Sequence, residues 1–302
     1  MKEKFENIKF KSSTLDIIQK ANEIIEEYQA DGFDLTLRQL YYQFVSRDLI
    51  PNSQKSYNRL GDIISNARLN GDIDWGAIKD RTRQLKENLH FDNPSDAIEN
   101  IAGWYKIDTR ADQDTHIECW VEKEALVGVV ERACRKLDIP FFACRGYVSQ
   151  TAMYEAAKRF QDISDYDYKN IVILHLGDHD PSGIDMTRDI AERLNQTFDT
   201  SVEIKRIALN MSQIDEYNPP PNPAKLTDSR VGGYLKKYGR QSWELDALDP
   251  KTITTLIEKE SNKYTDIAKR NRLISKLNQQ KNLLIKCSEN WEDITEYLTN
   301  QE

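Results

Sequence analysis

The sequence has 302 residues, of which 30% are charged and 39% are hydrophobic. This composition is typical of a globular protein rather than a disordered or membrane-spanning one, and the length allows two domains. The charged N-terminus has no apolar signal segment, and no stretch approaches the roughly 18 apolar residues of a spanning helix. The four cysteines form no Cys-x-x-Cys pair, which argues against a zinc site or a disulfide frame. We therefore expect a cytoplasmic protein without membrane contact.

The charge is unevenly distributed along the chain. The net charge of −8 taken alone argues against nucleic-acid binding, but the distribution of charge matters more than its sum. Nine basic residues stand against five acidic ones in 36–86, and six basic residues stand against one acid in 264–286. Two locally basic segments therefore lie in an acidic chain. Solvated helix faces would also explain either segment alone.

The first part of the chain is predicted to be helical. Apolar residues at helical spacing indicate a helix over 12–29, which we assign to a separate N-terminal segment at 1–30. Thr36 is a suitable N-cap for a second helix. The apolar side of that helix consists of Leu37, Leu40, Tyr41 and Phe44. A turn at 51–53 begins a third helix, which runs to about Asn70.

The order of these elements indicates a winged-helix DNA-binding domain, which we place at 31–110. Helix, turn, helix and a short extended piece follow one another within about 45 residues. The extended piece, 73–78, could form a wing-like strand. The third helix would then carry basic residues that contact DNA, namely Lys55, Arg59 and Arg68. Helix-turn-helix geometry also occurs in proteins that bind no DNA, so that alternative stays open.

From residue 111 onward, strand and helix patterns alternate. The predicted strands are 116–121, 140–144, 170–177 and 202–209, and the predicted helices between them are 125–137, 150–161 and 183–196. The apolar run at 171–174 is typical of a parallel strand that is buried on both faces. This alternation predicts an α/β domain with a parallel sheet at 111–210, whose ligands bind beyond the carboxyl ends of the strands. Residues 211–302 are predicted to form a proline-containing loop and a helical C-terminal extension.

Acidic residues follow two of these strands. Glu122 comes directly after the first strand, and Asp178 and Asp180 come after the third. Carboxylates gathered at one sheet edge repel each other unless a cation lies between them. The simplest occupant is Mg²⁺, with Mn²⁺ as an alternative. His175 and His179 flank Asp178 and could suggest another metal site or a general base, although a structural hydrogen bond explains a histidine at a strand end equally well.

The segments Trp-Val-Glu-Lys-Glu-Ala at 120–125 and Leu-Gly-Asp-His-Asp-Pro-Ser-Gly at 176–183 resemble the two motifs of the Toprim domain. This domain is the metal-binding catalytic module shared by topoisomerases, primases and several nucleases. The resemblance covers residues 112–210 and implies a Rossmann-like parallel sheet. It also implies that Glu122, Asp178 and Asp180 are Mg²⁺ ligands. Glu124 is interpreted as a solvated glutamate in a first helical turn.

A second motif, Leu-Arg-Gln-Leu-Tyr-Tyr at 37–42, lies in the predicted winged helix. Tyr41 aligns with the apolar side of its helix, whereas Tyr42 is predicted to lie beside Arg38 on a more exposed face. Packing alone would explain a tyrosine pair. Together with the Toprim motifs, however, the segment resembles the A subunit of type IIB topoisomerases and its meiotic double-strand-break relative, over residues 30–250.

This resemblance implies a homodimer that acts on double-stranded DNA, in which Tyr42 of one subunit meets the metal site of the other. Tyr42 would attack a DNA phosphate, Arg38 would pair with that phosphate, and Glu122 would take part in catalysis together with the metal. The sequence would be a stand-alone short form of the family. Nothing in it resembles an ATPase, so strand passage would need a separate ATPase subunit.

Three functions remain open from the sequence. The first is DNA cleavage by Tyr42, and the second is a Toprim nuclease that uses metal-activated water. The third is a non-catalytic DNA-binding protein, against which the complete carboxylate trio argues. Arg145 follows the second strand near a predicted helix N-terminus and could hold a phosphate. No role follows from the sequence for Lys225, Asp228, Glu244 and Asp246.

Overall fold

The computed structural model describes residues 1–79, 88–167, 169–223 and 230–300. It begins with three helices, as the sequence predicted: α1 (Ser12–Ala30), α2 (Leu37–Ser46) and α3 (Gln54–Leu69). Thr36 caps α2 with a capping box, because its hydroxyl accepts from the Gln39 N–H while the Gln39 side chain accepts from the Thr36 N–H. The apolar sides of the three helices pack together as one hydrophobic cluster.

The predicted wing-like strand at 73–78 is wrong. Only one isolated bridge forms in this stretch, between Leu35 and Ile78. The chain turns instead of extending, since the Asp74 carboxylate accepts a 2.6 Å hydrogen bond from the Gly76 N–H. A local side-chain-to-backbone turn of this kind competes with strand pairing.

Four parallel strands form the central sheet, as predicted: β1 (Thr115–Val121), β2 (Phe141–Ala143), β3 (Asn170–Leu176) and β4 (Val202–Ala208). Their order across the sheet is β2-β1-β3-β4. The helices between them are α5 (Val127–Leu137), α6 (Gln150–Asp167) and α7 (Pro181–Glu192). β1 and β3 are neighbours, with Val121 opposite Leu176. The chain therefore leaves both strands at the same edge of the sheet.

Both faces of the sheet are buried. Alternate residues of β1 and β3, among them Ile117, Cys119, Val172 and Leu174, join one cluster with α5. The residues between them, such as Trp120 and Ile173, join a second cluster with α6 and α7. Because successive side chains of a strand point to opposite faces, this alternation gives a three-layer α/β arrangement.

The remaining elements precede and follow this sheet along the chain. Helix α4 (Pro94–Trp104) precedes it, and α8 (Met211–Tyr217) follows β4. A two-stranded ribbon and four more helices come next, namely β5 (Asn222–Pro223), α9 (Val231–Tyr238), β6 (Gln241–Ser242), α10 (Pro250–Asn262), α11 (Ile267–Glu289) and α12 (Trp291–Thr299). Lys225 and Asp228 lie outside the described residues. Across the described ranges, no helix combines the length and apolarity needed to cross a lipid bilayer.

An ion pair between the buried Glu118 and the more exposed Arg159 connects α6 with β1. Glu118 is 3% exposed and accepts hydrogen bonds from Arg159 at 2.8 and 3.0 Å and from the Trp120 indole at 2.9 Å. Burial alone raises the pKa of Glu118, but hydrogen bonds from His116 and Arg159 and the Arg159 charge outweigh burial and lower the pKa to about 2. The carboxylate is therefore more stable in the folded state than in the unfolded chain.

We expect Glu118→Gln to lower the free energy of unfolding at pH 7 by on the order of 3 kcal/mol. Because the folded pKa is depressed, this stabilisation is present above the unfolded value near 4.5 and is lost as the pH falls toward 2. Urea unfolding at pH 7 and pH 3 measures the effect. The difference between variant and wild type should shrink at pH 3, while Glu131→Gln, at a partly exposed glutamate that pairs with Arg135, serves as control. An equal difference at both pH values would contradict the assignment.

Candidate functional site

The sheet brings Glu122 and Asp178 into direct contact. Glu122 Oε2 accepts a 2.9 Å hydrogen bond from the Asp178 N–H. Between β3 and Asp178 stands Gly177, where an added Cβ would lie 2.9 Å from Glu122 Oε2 and 3.2 Å from Arg206 Nη1. Glycine therefore leaves the space in which the glutamate reaches the neighbouring strand. We call Glu122, Asp178 and Asp180 the carboxylate edge.

The Asp-Pro-Ser-Gly segment begins helix α7 beside this edge. Asp180 is its N-cap and accepts hydrogen bonds from the Gly183 N–H at 2.6 Å and the Ser182 hydroxyl at 2.8 Å. Pro181 occupies the first helical position, where its missing N–H costs nothing. An added Cβ at Gly183 would lie 2.2 Å from the Asp178 carbonyl oxygen, so only glycine allows the helix to start this close to Asp178.

Negative charge at the carboxylate edge is incompletely compensated. Burial and the charge of Asp180 raise the pKa of Glu122. Burial raises the pKa of Asp178 to about 7, with a further contribution from Glu122, even though the nearby Lys123 charge acts in the opposite direction. Both carboxyl groups would be stabilised in their charged form by an additional cation.

The donor chemistry of the edge fits a hard divalent cation, which takes carboxylate oxygens as ligands. Among the residues that the structure describes, Glu122 Oε1 and Asp180 Oδ2 accept no hydrogen bond, whereas both Asp178 oxygens are engaged by the Leu245 N–H at 2.7 Å and by Lys123 Nζ at 3.0 Å. Within the same residues, no three His, Cys, Asp or Glu side chains are gathered closely enough to hold a metal ion. Metal binding would therefore require Asp178 to exchange its contact with Lys123.

Sequence reasoning missed Arg206, a partly buried cation on β4 that donates hydrogen bonds to the backbone of this edge. Its guanidinium donates to the carbonyl oxygens of Gly177 at 2.8 Å, Asp178 at 2.6 Å and Gly183 at 2.9 Å. Burial lowers the pKa of Arg206 to about 10, although the three edge carboxylates act in the opposite direction. A basic residue near the end of the predicted strand 202–209 was the one signal for it in the sequence.

Two acids without a predicted role, Glu244 and Asp246, form an ionic cluster with Arg38 and Lys123. Lys123 Nζ lies 2.9 Å from Glu244 and 3.0 Å from Asp246, and Arg38 Nε lies 2.6 Å from Asp246. Arg38 also pairs with Glu244. Lys123 further contacts Asp178. This ionic cluster therefore connects helix α2 with the carboxylate edge of the same chain.

The charges in the ionic cluster stabilise one another. Burial opposes the charged forms of Arg38 and Lys123, but the carboxylates of Asp246 and Glu244 outweigh it and raise the pKa of both residues. Burial likewise raises the pKa of Glu244, but the Lys123 charge and the hydrogen bonds from Lys123 and Arg38 lower it to about 2. The cluster therefore keeps its ion pairs near neutral pH.

Tyr42 lies beside Arg38, but the prediction that it faces outward is wrong. Tyr42 is 3% exposed, because the turn Leu245–Ala247 packs against α2 and Ala247 joins its hydrophobic cluster. The Tyr42 hydroxyl lies 3.5 Å from Arg38 Nη2. Burial and the charges of Asp246 and Glu244 raise the pKa of Tyr42, so its phenol is held in the protonated form.

The remaining predicted DNA-binding residues differ in their exposure. Lys55 and Arg59 on α3 are exposed. Arg68 donates to the Trp75 carbonyl oxygen at 2.5 Å and stacks 4.7 Å from the centre of its ring. Arg145 is exposed and pairs with Glu124. Lys55, Arg59 and Arg145 are therefore the more accessible members of this set.

The two histidines beside Asp178 have structural partners. His175 Nδ1 lies 2.9 Å from the Thr187 hydroxyl, and His179 Nδ1 lies 2.8 Å from the Tyr234 hydroxyl. Burial and the charge of Arg206 lower the pKa of His175 to about 3 and that of His179 to about 4. Both rings are therefore neutral near pH 7, and each bonds to its own hydroxyl partner.

No protein-family model matches this sequence, and a search of the curated proteins finds no match. The resemblance to the topoisomerase family therefore rests on the sequence motifs alone. Any assignment of function must be argued from the geometry of the site.

Proposed function

We propose that the protein cleaves the backbone of double-stranded DNA in a reaction that needs a divalent metal ion at the carboxylate edge. The observation that supports this most is the contact between Glu122 and Asp178 on neighbouring parallel strands, where burial and crowded negative charge raise the pKa of both. Asp180 stands at the same edge. Glu122, Asp178 and Asp180 would hold Mg²⁺ or Mn²⁺. When bound, the ion would stabilise negative charge on the phosphate and on the leaving oxygen.

The same proposal assigns the sheet to a Toprim domain at 111–210 and the N-terminal helices to a winged-helix domain at 31–110. Exposed Lys55, Arg59 and Arg145 would contact DNA phosphates and release counterions on binding. A homodimer would present one carboxylate edge to each strand of the duplex. Strand passage would require a separate ATPase subunit, whereas cutting would not.

Tyr42 is the proposed nucleophile, supported by its position next to Arg38, which belongs to the ionic cluster that reaches Asp178. Its hydroxyl would lose a proton and bond to phosphorus, the bond to the 3′-oxygen would break, and that oxygen would take up a proton. A 5′-phosphotyrosine link would result. Because burial raises the pKa of Tyr42, a DNA phosphate that draws Arg38 away from Glu244 and Asp246 would be needed to expose and activate it.

Hydrolysis by metal-activated water is the second candidate. It is favoured by the burial of Tyr42, which is 3% exposed and has a raised pKa. A water molecule at the carboxylate edge would need no rearrangement of α2. In that reaction Arg38 and Tyr42 would support the site without forming a bond to DNA.

We expect Tyr42→Phe to abolish covalent protein–DNA ends. Wild-type protein is incubated with supercoiled plasmid and Mg²⁺ or Mn²⁺ and quenched with detergent, and the cut 5′ ends are then assayed for attached protein. Tyr41→Phe is the matched control, because Tyr41 is the adjacent buried tyrosine but bonds to Asn52 and Ser53 instead of Arg38. It should retain covalent ends once its thermal stability has been checked.

The alternatives give different outcomes in the same assay. Free ends that persist in Tyr42→Phe and vanish in Asp178→Asn would identify water as the nucleophile. Salt-sensitive DNA binding by wild-type protein without any cutting, in either metal, would refute the enzymatic proposal and leave a binding protein.

A further inference from the structure

A pocket lies at the opposite end of the sheet from the carboxylate edge. It has a volume of about 560 Å³ and is lined by the first residues of β1, by Phe141 at the start of β2 and by the end of α5. Since β1 spans seven residues, the two sites are roughly 20 Å apart along the strand. Nothing in the proposed cleavage reaction uses this pocket.

Positive charge predominates in the lining of this pocket. Four cationic side chains contribute to it, namely Lys106, Arg110, Arg135 and Lys169. The two acids in the lining, Asp108 and Asp138, already accept hydrogen bonds from neighbours. Asp108 accepts from the Arg110 N–H at 2.7 Å, and Asp138 accepts from the N–H and hydroxyl of Thr109 at 2.8 and 2.7 Å. The pocket is therefore suited to an anion.

Arg110 is the most informative of these residues. It is 7% exposed, and it forms no ion pair with any residue that the structure describes. Its Nη1 donates to the Thr265 hydroxyl at 3.1 Å, whereas its Nη2 has no hydrogen-bond partner within the described ranges. Burial and the charge of Arg270 lower the pKa of Arg110, although the charges of Asp108 and Asp138 act in the opposite direction. A buried cation with incomplete charge compensation and an unpartnered N–H group is costly unless a ligand supplies further negative charge.

The rest of the lining is largely apolar, and we call its apolar residues the apolar wall. They are Ile107, Ile117, Ile139, Pro140 and Phe141. A phosphate ion would use only the cationic side, whereas a ligand that combines phosphates with a flat ring would use both. The volume lies within the roughly 300–1,000 Å³ typical of small-molecule sites.

We propose that this pocket binds a nucleoside diphosphate or triphosphate. Its phosphates would lie against Lys106, Arg110 and Arg135, and its base would pack on the apolar wall beside Phe141. Arg110 would supply a buried charge that pairs with phosphate, while the exposed Lys106 and Arg135 would close around the phosphates from the solvent side. This inference does not depend on the proposed DNA cleavage, because the two sites share no residue.

Calorimetric titration with ADP in the presence of EDTA tests the site, since EDTA keeps divalent ions from the carboxylate edge. We expect Lys106→Gln/Arg135→Gln to weaken ADP binding at least tenfold. Lys136→Gln is the matched control: Lys136 is adjacent to Arg135 and equally exposed, and like Arg135 it pairs with a glutamate, but it does not line the pocket. It should bind ADP as wild type does. Asp178→Asn should also retain ADP binding, which separates this site from the proposed function.

Inorganic pyrophosphate and adenosine test the two halves of the ligand, and each should bind more weakly than ADP. If pyrophosphate bound as tightly as ADP, the apolar wall would have no role in binding. If adenosine bound as tightly as ADP, the cationic side chains would have no role. Failure of ADP to bind at millimolar concentration would overturn the proposal, as would equal binding by the double variant. Arg110→Gln should weaken ADP binding more than Lys106→Gln/Arg135→Gln does. If the Arg110→Gln protein does not fold, the result for the double variant decides the question.

Discussion

Asp178→Asn is expected to reduce the proposed metal-dependent DNA cleavage on the order of 10³-fold, the size of effect that follows loss of a preorganised charge contact at a reacting phosphate. Asp178 contributes both its backbone and its side chain to the site: its N–H donates to Glu122 and its carboxylate accepts from the Leu245 N–H. Asparagine preserves the size of the side chain and can still accept from Leu245. The substitution therefore removes mainly the negative charge that a divalent ion needs.

Initial rates of plasmid cutting measure this loss, and calorimetric titration with Mg²⁺ measures ion binding directly. Asp189→Asn on α7 is the matched control, because its carboxylate pairs with Arg193 away from the carboxylate edge. Both variants should unfold at temperatures close to that of wild type. If Asp178→Asn took up Mg²⁺ and cut DNA as wild type does, the metal site would have to be placed elsewhere.

The parallel sheet could be predicted from the sequence because its signals are local. The apolar run at 171–174 indicates a strand buried on both faces, and the structure contains that strand as part of β3. Parallel strands joined through helices bring their carboxyl ends to one edge. The positions of Glu122 and Asp178 therefore follow from strand order and register, without knowledge of any side-chain contact.

The ionic cluster could not be predicted in this way, because its members are far apart in the sequence. Arg38 meets Glu244 and Asp246 across more than 200 residues, and no periodicity or spacing connects such positions. Tyr42 is buried as a consequence of the same contact. The sequence of α2 considered alone therefore predicted the wrong exposure for Tyr42. The one available signal was the presence of two acids within the otherwise apolar segment at 243–248.

Glu118 illustrates a different limit of prediction. It lies in the middle of β1, where a polar residue at an alternate position is ordinarily expected to face solvent. Its partner Arg159 lies 41 residues away on α6, and the pairing allows the glutamate to be buried. The sequence indicates the strand correctly, but the partner of a buried glutamate depends on which helix covers that face of the sheet.

Asp246→Ala is expected to be the most destabilising of the substitutions considered, lowering the free energy of unfolding by about 4 kcal/mol. The Asp246 side chain is fully buried and pairs with Arg38 at 2.6 Å and with Lys123 at 3.0 Å. Removing it leaves Lys123, whose side chain is 20% exposed, and Arg38, whose side chain is 40% exposed, with Glu244 as their remaining shared partner in the ionic cluster. The loss of stability comes mainly from the positive charge that is left uncompensated, because shortening the side chain to alanine exposes little additional apolar surface.

Urea unfolding at pH 7 measures this change, and Glu124→Ala provides the control. Glu124 also pairs with an arginine, Arg145, but both side chains are substantially exposed, so its loss should cost less than about 1 kcal/mol. A double variant, Asp246→Ala with Arg38→Met, should recover part of the stability because it removes one of the stranded cations. If Asp246→Ala were no more destabilising than Glu124→Ala, the ionic cluster would not be what holds α2 against the carboxylate edge.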